Sequence, residues 1–195
     1  MGNERDVFEW RRYGHWSSSA QKARFAAFAL WRLHDKSRLD EAIRECDYPS
    51  GDASLAVTEA FDRESAVAME LIIKAVIANR LIAARANPVQ AGVPATHDIP
   101  TLWVEAGLPA LGREDQYRLL LFKSKLTWSG RYPTPRTVKA WEDESREFDK
   151  LEDPPAEPGK IAFRKPITTG WREFDRLYQI AARQVWPRAR PTSKP

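Results

Sequence analysis

The chain has 195 residues, 43% of them apolar and 30% charged, with a net charge of +4 and a sequence pI of about 9.3. This is the composition of an ordinary globular protein with enough apolar residues for one core. Its mild basic excess permits contact with RNA or nucleotides without demanding it. The single cysteine, Cys46, excludes an internal disulfide, and with no Cys or His near it at ligand spacing it makes no zinc site.

The N-terminal stretch "MGNERDVFEWRRYGHW" has no apolar core of a secretory signal, so residues 1–16 read as an extension of a cytoplasmic protein. A first helix is expected to start after Ser17, Ser18 and Ser19, any of which can cap it. Ala20, Ala23, Ala27, Leu30 and Trp31 carry its apolar face to about His34. "KSRLDEAIREC" predicts a shorter helix, broken by Pro49 and Gly51.

From Leu55 to Ala86 there is neither Pro nor Gly, and the run is dense in good helix formers. Asn87-Pro88 ends it. Positions 66–83 are apolar nearly all round, which predicts a central helix buried on most sides. The window also holds Glu70, Lys74 and Arg80, which makes it too charged for a membrane span. Beyond a loop, Thr96 stands where an N-cap belongs, with His97, Asp98, Ile99 and Pro100 in the first turn of a short helix ending at Gly107. "REDQYRLLLFKSKLTW" predicts an amphipathic helix stopped by Ser129-Gly130, "RYPTP" an extended segment, and "RTVKAWEDESREFDKL" a further helix. A Pro-rich loop occupies the region near 152–166. The last helix begins at "TTGW", with Trp171, Phe174, Leu177, Tyr178, Ala181 and Val185 on one face. The helical domain therefore spans 17–186, followed by a basic tail, 187–195, carrying Arg188, Arg190 and Lys194. The eight tryptophans are scattered, as core and helix-packing anchors are. No strand is expected, and the fold class is all-α.

Three groups of residues carry candidate chemistry. Arg63, Glu70 and Lys74 fall within about 40° of one another on the helical wheel, and Glu70 with Lys74 is an i,i+4 pair in the favourable order. They read either as a self-satisfied ion pair at the bundle edge or as a polar site between helices. His97 with Asp98 reads either as a capping and packing pair or as a ligand contact, because a helix N-terminus favours neutral imidazole. In "WSGRYPTPR", Trp128, Arg131, Tyr132 and Arg136 mix flat rings with guanidinium groups. Such a mixture holds phosphates and stacks bases, or covers a bundle end.

"AVAMELIIKAVIANRL", then a loop, "THDIPTLWVEAGL", and a helix leading to "WSGRYP" resemble the HEPN family, small helical proteins named for nucleotide binding in higher eukaryotes and prokaryotes. Glu70, Lys74 and Ala75 match its Glu-x-x-x-Lys-Ala helix, and Thr96, His97, Asp98 and Ile99 match its Thr/Ser-His-Asp-Leu turn. The match covers about residues 55–135. The resemblance implies an up-down bundle of four to five helices and a homodimer or a complex with a nucleotidyltransferase-like protein. It implies a nucleotide or RNA ligand and no cofactor or metal, in settings such as toxin–antitoxin or defence systems. Ribonuclease members of the family carry Arg followed after four to six residues by His. This chain lacks that pattern: no Arg stands between Arg85 and His97, Arg32 is too close to His34, Arg11 too close to His15, and no His follows Arg131. The resemblance thus points to a non-catalytic member. The alternatives are a divergent metal-independent ribonuclease that joins Arg131 with His97, and a purely structural interaction module.

Overall fold

A computed structural model describes residues 13–48, 51–84, 92–129, 137–151 and 167–186. Among the described residues the fold is all-α, with seven helices and no strand: α1 (Tyr13–Arg32), α2 (Lys36–Cys46), α3 (Ala53–Ala83), α4 (Ile99–Glu105), α5 (Arg113–Ser124), α6 (Val138–Asp149) and α7 (Trp171–Val185). Alpha geometry in α5 gives way to a π-helical turn over Lys125–Ser129. The Asn87-Pro88 stop, the extended "RYPTP", the Pro-rich loop and the basic tail lie outside the described residues.

The long helix α3 is the centre. Between Ser65 and Ala78 only Val67 and Leu71 escape full burial, so the all-round apolar character of this stretch has its expected consequence. Over α3 lies α1, through a strip of small residues, Ala20, Ala23 and Ala27, that lets the backbones approach. Trp31 meets Phe61 at one end of this contact and Trp16 meets Lys74 at the other, so α1 and α3 run antiparallel. Phe61 meets Phe174 and Asn79 donates to the Gln184 carbonyl, so α7 runs in the same direction as α3. The two are parallel neighbours, whereas a strict up-down order would make every neighbour antiparallel.

Two expectations about helix starts are corrected. The first helix does not begin after the serines, because α1 already runs from Tyr13. Ser17 is buried, and its hydroxyl donates to the Gly14 carbonyl at 3.2 Å, one turn back, so it needs no capping position. Thr96 is not the cap of α4. Asp98 is, accepting from the Thr101 N–H at 3.1 Å, while the Thr96 hydroxyl accepts from the Asp98 N–H at 3.0 Å. A carboxylate complements the positive helix end better than a hydroxyl does. Gly107 closes α4 with φ 56°, and a side chain there would strike the Arg80 guanidinium, which donates to the Gly107 carbonyl.

The tryptophans are anchors only in part. Trp103 is buried, Trp16, Trp31 and Trp171 are half-buried, and Trp141 and Trp186 are exposed. Large indoles pack one face and leave an edge in solvent. Among the described residues the other buried rings are Phe61, Phe122, Phe174 and Tyr178.

Candidate functional site

Glu70 and Lys74 project from the same side of α3, one turn apart, and both are buried, at 7% and 4% exposure. The Lys74 ammonium donates to Glu70 Oε1 at 2.6 Å. Its other side faces the Trp16 ring, 5.6 Å from the ring centre, an arrangement in which the π cloud partly replaces lost water. From the segment before α4, His97 brings Nδ1 to 3.0 Å from Glu70 Oε2 and 3.1 Å from Oε1. An ionised carboxylate only accepts, so Nδ1 carries the hydrogen toward Glu70 and Nε2 forms the outer edge of the ring. That ring remains 57% exposed, and Nε2 makes no hydrogen bond among the described residues.

The next residue starts a second ionic chain. Asp98 Oδ2 lies 3.0 Å from the Lys123 ammonium on α5, and Lys123 lies 2.7 Å from Glu147 on α6. Burial pushes the Asp98 carboxyl up, but the Thr101 N–H and Lys123 together hold it below the ordinary aspartate value. Burial likewise works to lower Lys123, and its two carboxylate partners outweigh it and raise the ammonium above its usual range. Lys74, Glu70, His97, Asp98, Lys123 and Glu147 therefore form one polar thread from α3 to α6. Its middle is the consecutive pair His97-Asp98, with the imidazole turned to α3 and the carboxylate to α5.

Of the residues singled out in the sequence, the structure brings together Glu70, Lys74, His97 and Asp98. Arg63 does not join them. It sits on the right meridian of α3 but seven residues earlier, about 10 Å along the axis, where its side chain is half-exposed and, among the described residues, pairs with Glu64 alone, at 3.9 Å. Trp128 falls in the π turn, and its side chain is outside the described residues, as are Arg131, Tyr132 and Arg136 entirely. Sequence reasoning missed Trp16, Lys123 and Glu147. Trp16 had a signal, since it stands one turn before Ala20 on the same stripe as Ala23 and Ala27. Lys123 and Glu147 had none, because Lys123 meets Asp98, and Glu147 meets Lys123, only through tertiary packing.

Chemically, a carboxylate behind an imidazole fixes its tautomer and orientation and strengthens the exposed nitrogen as an acceptor. Among the described residues His97 makes no hydrogen bond to a hydroxyl or thiol. Among the same residues, no group of three or more His, Cys, Asp and Glu is placed to hold a metal ion. Nor is any helix long and apolar enough to cross a membrane. No protein-family model matches the chain, and neither a curated protein nor a solved structure matches it.

Proposed function

We propose that this chain is a non-catalytic, HEPN-like binding protein whose His97 face takes a phosphate-bearing ligand, a nucleotide or single-stranded RNA. One observation carries the reading: Glu70 and His97, 27 residues apart, meet at 3.0 Å and leave the outer edge of the ring exposed. The two short motifs on which the resemblance rests are thereby in contact. A second feature supports it. The stretch rich in Arg, Tyr and Trp begins at Trp128, five residues after Lys123, which touches Asp98. At helical rise the backbone of Trp128 stands roughly 8 Å along the helix from that of Lys123.

The test is fluorescence anisotropy with a short labelled single-stranded RNA, together with thermal-shift measurements against nucleoside triphosphates. Saturable binding is expected, and His97→Ala should weaken it by up to roughly tenfold, the worth of one hydrogen bond that Nε2 accepts from a ribose hydroxyl or a base N–H. Equal affinity of parent and variant removes His97 from the binding face. Absence of binding by both probes sinks the reading.

The same Glu70–His97 contact also favours a second reading, a divergent ribonuclease in which His97 accepts a proton and Arg131 stabilises charge. Cleavage of the RNA in the presence of a chelator, lost in a folded His97→Ala variant, would replace the first reading with the second. Association as a homodimer or with a nucleotidyltransferase-like protein belongs to the proposal as well. Sedimentation velocity at low micromolar concentration tests the homodimer against the 22.3 kDa chain mass.

A further inference from the structure

We propose that Lys74 is a positioning residue for His97: it shares the Glu70 carboxylate with the ring and so keeps Nε2 without a hydrogen, turned outward as an acceptor. The two side chains meet at one anion. Lys74 donates to Glu70 Oε1 at 2.6 Å, and His97 Nδ1 lies 3.1 Å from the same oxygen and 3.0 Å from Oε2. Lys74 is only 4% exposed, whereas the His97 side chain is 57% exposed. The ammonium is therefore screened from whatever meets the outer edge of the ring, and its influence passes through Glu70.

A carboxylate with no other cation beside it favours the doubly protonated ring, and Nε2 would then donate outward. Lys74 opposes that preference. Its positive charge already matches Glu70, and a second on the same carboxylate would leave positive charge unmatched beside the core. Glu70 then keeps a geometric role: it accepts from Nδ1 and fixes which edge faces out. Packing holds Lys74 to this task, because the Trp16 ring of α1 covers its other side at 5.6 Å.

The other charged groups of the thread pair among themselves. Asp98, the next residue, is matched by Lys123 of α5 at 3.0 Å, and Glu147 of α6 takes the same ammonium at 2.7 Å. Glu147 is 40% exposed, and water weakens its field at the ring. Among the described residues Lys74 is thus the ammonium that shares an anion with His97. This gives the buried pair a purpose, since apolar residues of the same volume would be at least as stable.

The use of an acceptor at Nε2 rests on the proposed binding face, but the state of the ring does not, and the test is made on the free, full chain. Long-range ¹H–¹⁵N spectra follow both ring nitrogens of His97 through a pH titration in the parent, Lys74→Gln and Lys74→Arg, with melting curves to identify the folded variants. The glutamine can still donate to Glu70 but carries no charge. It should raise the pH at which Nε2 gains its hydrogen by about one unit relative to the parent, the effect of one nearby charge. Lys74→Arg keeps the charge and should keep the parental midpoint. A folded Lys74→Gln with the parental midpoint overturns the proposal, as does a Lys74→Arg that shifts like the glutamine. A parental ring with hydrogens on both nitrogens at neutral pH overturns it whether or not the variants fold. RNA plays no part in the titration, so failure of the binding reading and failure of this one are told apart.

Discussion

The two flanks of α3 solve burial differently. Toward α7 the helix meets rings: Phe61 packs on Phe174, and Phe174 on Tyr178. Two hydroxyls, each one turn after one of these phenylalanines, are left alone among the described residues. Ser65 Oγ and the Tyr178 hydroxyl are buried without a hydrogen-bond partner among the described residues, and burial pushes the Tyr178 hydroxyl up to about 12. Toward α4 the helix buries a carboxylate and an ammonium, and there each charge is matched: Lys74 to Glu70, Glu70 to His97, Asp98 to Lys123. An orphaned hydroxyl costs about 1–3 kcal/mol and can be absorbed, whereas an orphaned charge cannot. Apolar residues of the same volume would be at least as stable as the Glu70–Lys74 pair. The charged flank is thus costly for a helix whose only task is packing, and that contrast turns attention to His97.

The largest effect is expected where a charge enters the core without a partner. Ile73 is fully buried, and Ile73→Asp should cost roughly 5 kcal/mol, enough to unfold a domain of ordinary stability. A melting temperature within a few degrees of the parent would show that α3 is not the core helix. Next comes the charged flank. Lys74→Met strands Glu70 with only His97 beside it and should cost about 3 kcal/mol in urea unfolding. Combining it with Glu70→Leu should restore stability to within about 1 kcal/mol of the parent, because both charges are then gone. If the double variant is as unstable as the single, the pair holds the fold together and its presence requires no functional reason.

Much of this contrast was legible in the sequence. The absence of breakers and the all-round apolar run from position 66 placed α3, and the i,i+4 spacing paired Glu70 with Lys74. The period of apolar residues likewise gave the face of α7. Other features were hidden for physical reasons. Angular position on a wheel says nothing about height, so Arg63 seemed aligned with Glu70 while standing two turns away. Three serines in a row look like a cap, and only the acceptor one turn back of Ser17 lets the helix run through them. Lys123 and Glu147 lie 25 and 49 residues after Asp98 in the chain, and no local pattern announces that the two carboxylates converge on Lys123.

Smaller effects sharpen the same comparison. Asp98→Ala removes the cap of α4 and the Lys123 contact together and should cost about 0.5–2 kcal/mol at neutral pH. The folded carboxyl titrates below its unfolded value of about 3.9, so its contribution is complete above that value and is lost as pH falls through the folded pKa. Urea unfolding of parent and variant at neutral and acid pH should therefore converge under acid. A gap that stays constant would place the effect in packing, not in the carboxylate. Smallest of all, Tyr178→Phe deletes a hydroxyl that has no partner among the described residues and should be neutral or stabilising by up to about 1 kcal/mol. A clear loss of stability would mean that the hydroxyl is satisfied after all, and the contrast between the flanks would weaken.

The central claim is that Glu70 holds the inner edge of His97 while the outer edge meets a ligand. It is tested most directly by the ring nitrogen resonances of His97 in a long-range ¹H–¹⁵N spectrum, recorded while a short single-stranded RNA is added. The account predicts a protonated Nδ1 that keeps its resonance throughout and an Nε2 signal that moves saturably with RNA, with both features lost in Glu70→Gln. An Nε2 signal that stays still while the RNA binds elsewhere, or a ring protonated at Nε2 in the free protein, would contradict it.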